Sequence, residues 1–294
     1  MLSDHSDIEE NGGPSNRRSA SPISEASDEG FFGLDDLLPE PESPLPAPYS
    51  FSTYELPADL ELGTIRSRQL ILRLVGSHPL WGHHLWNTAR VFSTYLLRNP
   101  PLIKGRKVLE LGAGAGLPSI VCTLGGSKQV VITDYPDTNL VENMRFNVDV
   151  NVAGDLRGNV DVVGHLWGHD VKHLMTRTEN EGYDLLILSD LVFNHSQHDA
   201  LIKTVNSTLS HKPDACILVF FTSHRPHLVK EDNAFFPRLA ESGDGWVYQK
   251  VVEEWAGAMF EEDPGDVKVR GTVHGWKAWR VKDGEEPGQL NTIP

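Results

Sequence analysis

Between Lys107 and Pro118 the chain reads Lys107-Val-Leu-Glu-Leu-Gly-Ala-Gly-Ala-Gly-Leu-Pro118, a short apolar run meeting three alternate glycines. Val108, Leu109 and Leu111 suit a strand buried on both faces, as in parallel sheets. Gly112, Gly114 and Gly116 remove the Cβ atoms that would hold a ligand away from the backbone. The spacing predicts a strand over 107–111, a loop open to a nucleoside, a helix over 117–124 and a second strand over 129–133. Asp134 then falls about twenty residues beyond the glycines, where such units place the acid that accepts hydrogen bonds from ribose hydroxyls.

Upstream and downstream the same alternation continues. Apolar and polar residues alternate from Phe51 to Val75, predicting an extended, hairpin-like lead-in, and a helix follows near Trp86 to Leu97. Beyond the second strand come a helix over 137–151, a short strand near 160–163 and a buried strand from Tyr183 to Leu188. A helix over 197–209, a strand from Ala215 to Phe221 and a helix over 233–242 complete the series. Strict alternation implies parallel pairing with right-handed crossovers, a doubly wound α/β sheet of Rossmann-like form. Trp246 to Glu254 and Val273 to Val281 are consecutive strand-like runs, expected to form a terminal antiparallel hairpin turning through 261–271. They bring the strands after the lead-in to seven. The expected organisation is an acidic disordered tail over 1–48, the lead-in over 49–78, one catalytic domain over 79–283 and a C-terminal tail over 284–294. Within the first tail, Phe31 to Leu38 is an apolar and acidic patch that docks on a partner or on the folded domain, or else fluctuates.

The net charge of −15 argues against nucleic-acid binding, which needs basic surface to neutralise phosphate. Much of that acidity is local: residues 1–50 hold eleven acids and two arginines. A basic protein substrate suits the balance better. No run of 18 apolar residues occurs, and the N-terminus has no basic segment leading into an apolar one, so a soluble cytoplasmic protein is expected, with no membrane partner. Cys122 and Cys216 lack metal spacing and read as small buried apolar residues. The histidine pairs His83-His84, His195 with His198, and His224 with His227 lack a second ligand pair, so no metal is expected. Neither a nucleophile elbow nor a Walker lysine is present.

Ligands of open α/β sheets bind beyond the carboxyl ends of the strands. There lie the glycines, Asp134, Leu166-Trp167-Gly168 and Ser189-Asp190-Leu191-Val192-Phe193-Asn194-His195. The dinucleotide fingerprint is G-x-G-x-x-G, whereas Glu110 opens an E-x-G-x-G-x-G run that resembles the S-adenosylmethionine loop of seven-stranded methyltransferases. Pro79-Leu80-Trp81-Gly82-His83-His84-Leu85-Trp86-Asn87 and Thr133-Asp134-Tyr135-Pro136-Asp137 extend the likeness. With the Ser189 to His195 run, they resemble the fungal elongation-factor methyltransferases that act on an N-terminus and the adjacent lysine, a group within the seven-stranded lysine methyltransferase family. Its members have often been labelled nicotinamide N-methyltransferase-like. The resemblance spans roughly residues 50 to 281. It implies S-adenosylmethionine as cofactor, contacted by Trp81, Gly112, Ala113, Gly114, Asp134, Trp167 and Ser189, and translation elongation factor 1-alpha as protein substrate. A monomer is expected.

Chemistry supports several of these roles. Indole faces stack on adenine or attract a sulfonium, worth roughly 0.5 to 2 kcal/mol, which fits Trp81 and Trp167. Trp86, Trp246 and Trp255 read as core or interface residues. Asp190 opens a run resembling the family's D-x-x-Y motif, with Phe193 in place of the tyrosine, and could accept a hydrogen bond from the attacking amine or cap a helix. His195 either relays the proton or simply opens the following helix. Methyl transfer to an amine is an in-line displacement that mainly requires a positioned, neutral nucleophile. An α-amino group, with pKa near 7.7 to 8.0, reaches that form more readily than lysine near 10.4. Competing readings are a nicotinamide-like small-amine methyltransferase, a noncatalytic cofactor- or partner-binding module, and an NAD-dependent oxidoreductase, the last disfavoured by the glycine spacing.

Overall fold

The computed structural model describes residues 48–60, 67–76 and 82–281. The acidic tail with its Phe31 to Leu38 patch, the C-terminal tail and Trp81 lie outside the described residues.

The core is a seven-stranded sheet. Five strands run parallel: β3 (Lys107–Leu111), β4 (Gln129–Asp134), β5 (Val160–Gly164), β6 (Leu185–Ser189) and β7 (Cys216–Thr222). β8 (Trp246–Trp255) and β9 (Thr272–Arg280) are antiparallel, giving the order β5-β4-β3-β6-β7-β9-β8. The chain leaves β3 toward β4 and β5, then crosses back to lay β6 on the other side. That reversal is the switch point where such sheets open a crevice.

Because side chains alternate across a strand, each apolar run feeds two cores. Val108, Val130, Ile132, Leu185 and Ile187 face α1 (Asn87–Arg98), α2 (Leu117–Leu124) and α3 (Thr138–Asn151), while Leu109, Leu111, Val131, Leu186 and Leu188 lie in the opposite layer. A short helix α4 (Lys172–Met175) precedes β6, and α5 (His198–Thr208) covers the second core. In the first core Phe92 stacks on Phe220 with ring centroids 4.0 Å apart. Cys122 and Cys216 are buried free thiols, as expected.

The lead-in is a hairpin: β1 (Ser50–Glu55) pairs antiparallel with β2 (Gln69–Leu74). Its outer edge would leave backbone groups unpaired, and α3 satisfies them with three asparagines spaced one turn apart. Asn147 accepts from the Arg73 N–H at 2.7 Å and donates to its carbonyl at 2.9 Å, and Asn151 treats Ile71 the same way at 3.0 and 2.8 Å. Asn143 donates to the Arg73 carbonyl and accepts from the Arg73 side chain.

Two expectations are refined. The helix expected over 233–242 is α7 (Phe235–Glu241), preceded by a separate short helix α6 (Val229–Asn233), since Pro237 has no N–H for the Asn233 carbonyl and its ring crowds that group. The turn between β8 and β9 contains a short helix α8 (Val267–Gly271), whose N-cap Asp266 accepts from the Lys268 N–H at 2.8 Å. Trp246 is buried, but Trp255 is 56% exposed, its ring lying over Gly271 where a Cβ would fall 2.3 Å from it. Among the described residues no helix is long and apolar enough to cross a membrane.

Candidate active site

The glycine loop follows β3 with Gly112, Gly114 and Gly116 all in the left-handed region, at φ +60°, +56° and +77°. That conformation disfavours side chains. A Cβ on Gly114 would meet nothing within 4 Å, so the loop is open at that point, whereas one on Gly112 would strike Leu191 at 2.6 Å and Trp167 at 2.9 Å. The loops after β3, β5 and β6 therefore touch at Gly112. The loop after β4 joins them through Asp134, which is 9% exposed and whose Oδ2 accepts from the Gly114 N–H at 2.7 Å. Its Oδ1 accepts from the Tyr135 N–H at 2.7 Å. Each carboxylate oxygen can accept more than one hydrogen bond, so this role is compatible with holding ribose hydroxyls. All four expected loops thus meet in one crevice.

Beneath the loop, Glu110 is wholly buried and accepts from the Ser119 N–H at 3.0 Å, joining β3 to the start of α2. Burial pushes its pKa up to about 8, against hydrogen bonds from Ser119 and with added repulsion from Asp134. Trp167 is half-buried. Its loop is pinned to α5, where the Gly168 N–H donates to Thr204 Oγ1 at 2.8 Å. Ser189 ends β6 and is partly exposed. An open glycine cradle, a carboxylate at the second strand end and an adjacent indole together fit S-adenosylmethionine.

The other half of the crevice centres on Asp190. Its backbone is left-handed at φ +58°, a conformation costing a non-glycine residue about 1 kcal/mol, and its N–H donates to the Phe220 carbonyl at 2.8 Å. The buried carboxylate caps no helix. Oδ1 accepts from the Thr222 N–H at 3.1 Å, and Oδ2 lies 3.2 Å from Nε2 of His224. For His224, burial alone would lower the pKa, but the hydrogen bond and charge of Asp190 outweigh it, with help from Asp232 and Asp263, and the net direction is upward. His195 is tied elsewhere, its Nε2 2.7 Å from Oδ1 of buried Asp232 on α6. The imidazole that Asp190 engages is therefore His224, not His195.

Aromatic rings wall this side. Trp86 lies 4.8 Å from the His224 ring, with His84 5.5 Å and Phe260 6.1 Å from Trp86. Asn87 clamps the wall by donating to the carbonyls of Ala256 at 3.2 Å and Gly257 at 3.0 Å. Exposed Glu261, Glu262 and Asp263 follow Phe260. Sequence reasoning passed over His224, Asp232 and Phe260. The strand-end rule that selected Asp190 applies equally to His224, two residues beyond β7, whereas nothing in the sequence places Phe260 beside Trp86.

The chain matches the family model described as lysine methyltransferase over residues 68–242. It is 62% identical to the protein N-terminal and lysine N-methyltransferase EFM7 of Cryptococcus neoformans var. neoformans serotype D (strain JEC21), covering 90% of this chain and 94% of the relative. To the efm7 protein of the same description from Schizosaccharomyces pombe it is 48% identical, over 71% of this chain and 82% of the relative. A methyltransferase crystallised with SAH superposes with a TM-score of 0.50 at 14% identity, covering 71% of this chain and 53% of that one, which shows the shared fold. Fold and sequence define the protein as a methyltransferase. The chain belongs to the lysine methyltransferase family.

Proposed function

We propose that this protein methylates the N-terminal glycine and the adjacent lysine of translation elongation factor 1-alpha, as a monomer in the cytoplasm. The observation that carries the substrate class is the asymmetric crevice: beside the glycine loop, an aromatic wall is continued by exposed Glu261, Glu262 and Asp263. Acids at the rim attract a positively charged chain end, and aromatic faces accept an ammonium group. The description of the relatives as N-terminal and lysine methyltransferases supports the same reading.

In this reading Gly112, Ala113 and Gly114 bring the backbone close to S-adenosylmethionine, Asp134 holds its ribose, and Trp167, Ser189 and Trp81 complete the contacts. Bound there, the cofactor supplies an electrophilic methyl group on a sulfonium. The protein's part is to align an amine with that methyl group, strip water from it and keep it neutral. Asp190 anchors the amine side, and His195, paired with Asp232, exchanges the released proton with solvent.

The test is mass spectrometry of recombinant elongation factor 1-alpha and of nicotinamide, each incubated with the protein and S-adenosylmethionine. Methyl groups at the factor's N-terminal glycine and neighbouring lysine are expected. Methylated nicotinamide alone would transfer the reading to a small amine.

A further inference from the structure

We propose that His224, oriented by Asp190, is the proton acceptor for the methylated amine and the inner wall of the substrate's binding slot. The proposal rests on the amine-methyltransferase reading above. Thr222 and His224 both hold Asp190, so the carboxylate is fixed by two donors and in turn fixes one ring nitrogen. With Nε2–H donated to Asp190, Nδ1 is left as the acceptor, the same division of labour by which a buried carboxylate sets an imidazole tautomer in other enzymes. Trp86 against the ring limits its rotation, and the side chain keeps 21% exposure, enough to meet a ligand entering the crevice.

The walls define what reaches it. Trp86, His84 and Phe260 pack on one another beside it, an aromatic cluster next to the acidic run Glu261 to Asp263, suited to an unbranched cationic chain end. A terminal glycine amine or a lysine side chain fits that description. On transfer, a bond forms between the amine nitrogen and the methyl carbon while the carbon–sulfur bond breaks and its electron pair stays on sulfur. As that bond forms, the nitrogen gives up a proton to Nδ1 of His224, leaving imidazolium paired with the Asp190 carboxylate.

The groups facing His224 set the pH dependence. Asp190 below it, Asp232 on α6 and Asp263 in the loop after Phe260 all favour imidazolium, and burial opposes them. Acceptance requires the neutral ring. Turnover should therefore fall as pH drops through the raised pKa of His224, and Asp190→Asn should move that acid limb to lower pH.

The experiment is single-turnover methyl transfer from pH 6 to 9 by the wild type, His224→Gln and Asp190→Asn, with S-adenosylhomocysteine affinity measured alongside. His224→Gln is expected to lose about 100-fold in rate, the lower end of general-base contributions, and its acid limb, while binding the cofactor product normally. A rate within twofold of wild type with the acid limb retained would overturn the proposal and leave the function standing. Nitrogen-15 NMR of the wild type is independent of variant folding and of the protein substrate chosen. His224 protonated on Nε2 at pH 8 and shifted by a glycine-lysine peptide supports the proposal. The opposite tautomer, or no response to the peptide, sinks it even if elongation factor 1-alpha proves not to be the substrate.

Discussion

The two halves of the crevice are built in different ways. The cofactor half comes mainly from one stretch, Lys107 to Asp134, folded as strand, loop, helix and strand, with Trp167 and Ser189 added from the ends of β5 and β6, and its key contact joins Gly114 to Asp134 across twenty residues. The amine half gathers residues from four distant places: His84 and Trp86 before the sheet, Asp190 after β6, His224 after β7, and Phe260 beyond β8. The first is a local device that any sequence of this pattern carries. The second exists only where β9 inserts beside β7, antiparallel to it, and β8 and β9 project the 256–266 loop toward the N-terminal motif. In the proposed reading one half holds the cofactor and the other the substrate.

If the halves are separable, their variants should fail differently. Asp134→Ala should cost the largest effect, a loss of at least ~100-fold in S-adenosylhomocysteine affinity by calorimetry, since it removes charge-assisted bonds worth about 1.5 to 3 kcal/mol each. Retained affinity would take Asp134 out of the cofactor half. Asp190→Asn should do the reverse, leaving that affinity within about threefold while turnover drops ~10- to 100-fold at pH 7. A parallel loss of cofactor binding would show that the halves are coupled.

A third variant addresses the seam between them. A Cβ on Gly275 of β9 would lie 2.5 to 2.9 Å from the Phe220 ring, which is already stacked on Phe92. Gly275→Ala should cost about 1 to 3 kcal/mol in urea unfolding, as overpacked cores do. A neutral result would mean that β9 shifts freely against β7.

The remaining effect is electrostatic and belongs to the strand beneath the glycine loop. Glu110, with a folded pKa raised from 4.5 to about 8, binds its proton more tightly in the fold than in the unfolded chain. Its contribution is full below pH 4.5 and is lost as pH rises toward 8, by up to ~1.4 kcal/mol per pH unit. Denaturation at pH 5, 6.5 and 8 should show a shallower decline for Glu110→Gln than for the wild type. Equal slopes would place the titration elsewhere.

Legibility followed the range of the interactions. The strand 107–111 and the helix 117–124 lie where periodicity and glycines placed them, because buried parallel strands read as apolar runs and the glycines punctuate them. The helix expected over 233–242 lies at 235–241, and the separate α6 ahead of it was not legible. Trp255, expected as a core or interface residue, is not in the core: its ring caps an exposed strand end over Gly271.

For the chemistry, the residue pattern alone determined that an open glycine loop follows β3 and that an acid waits at the end of β4, since both depend on backbone conformations encoded within about thirty residues. It also marked Asp190 by its place after a buried strand. Only the tertiary structure decided which histidine that carboxylate holds. His195 and His224 are equally plausible partners in a linear reading, and the choice is made by β7 lying beside β6, which sets His224 within 3.2 Å of Asp190 while α6 takes His195 through Asp232. Hydrogen bonds select by distance in space, and that distance is a property of strand order.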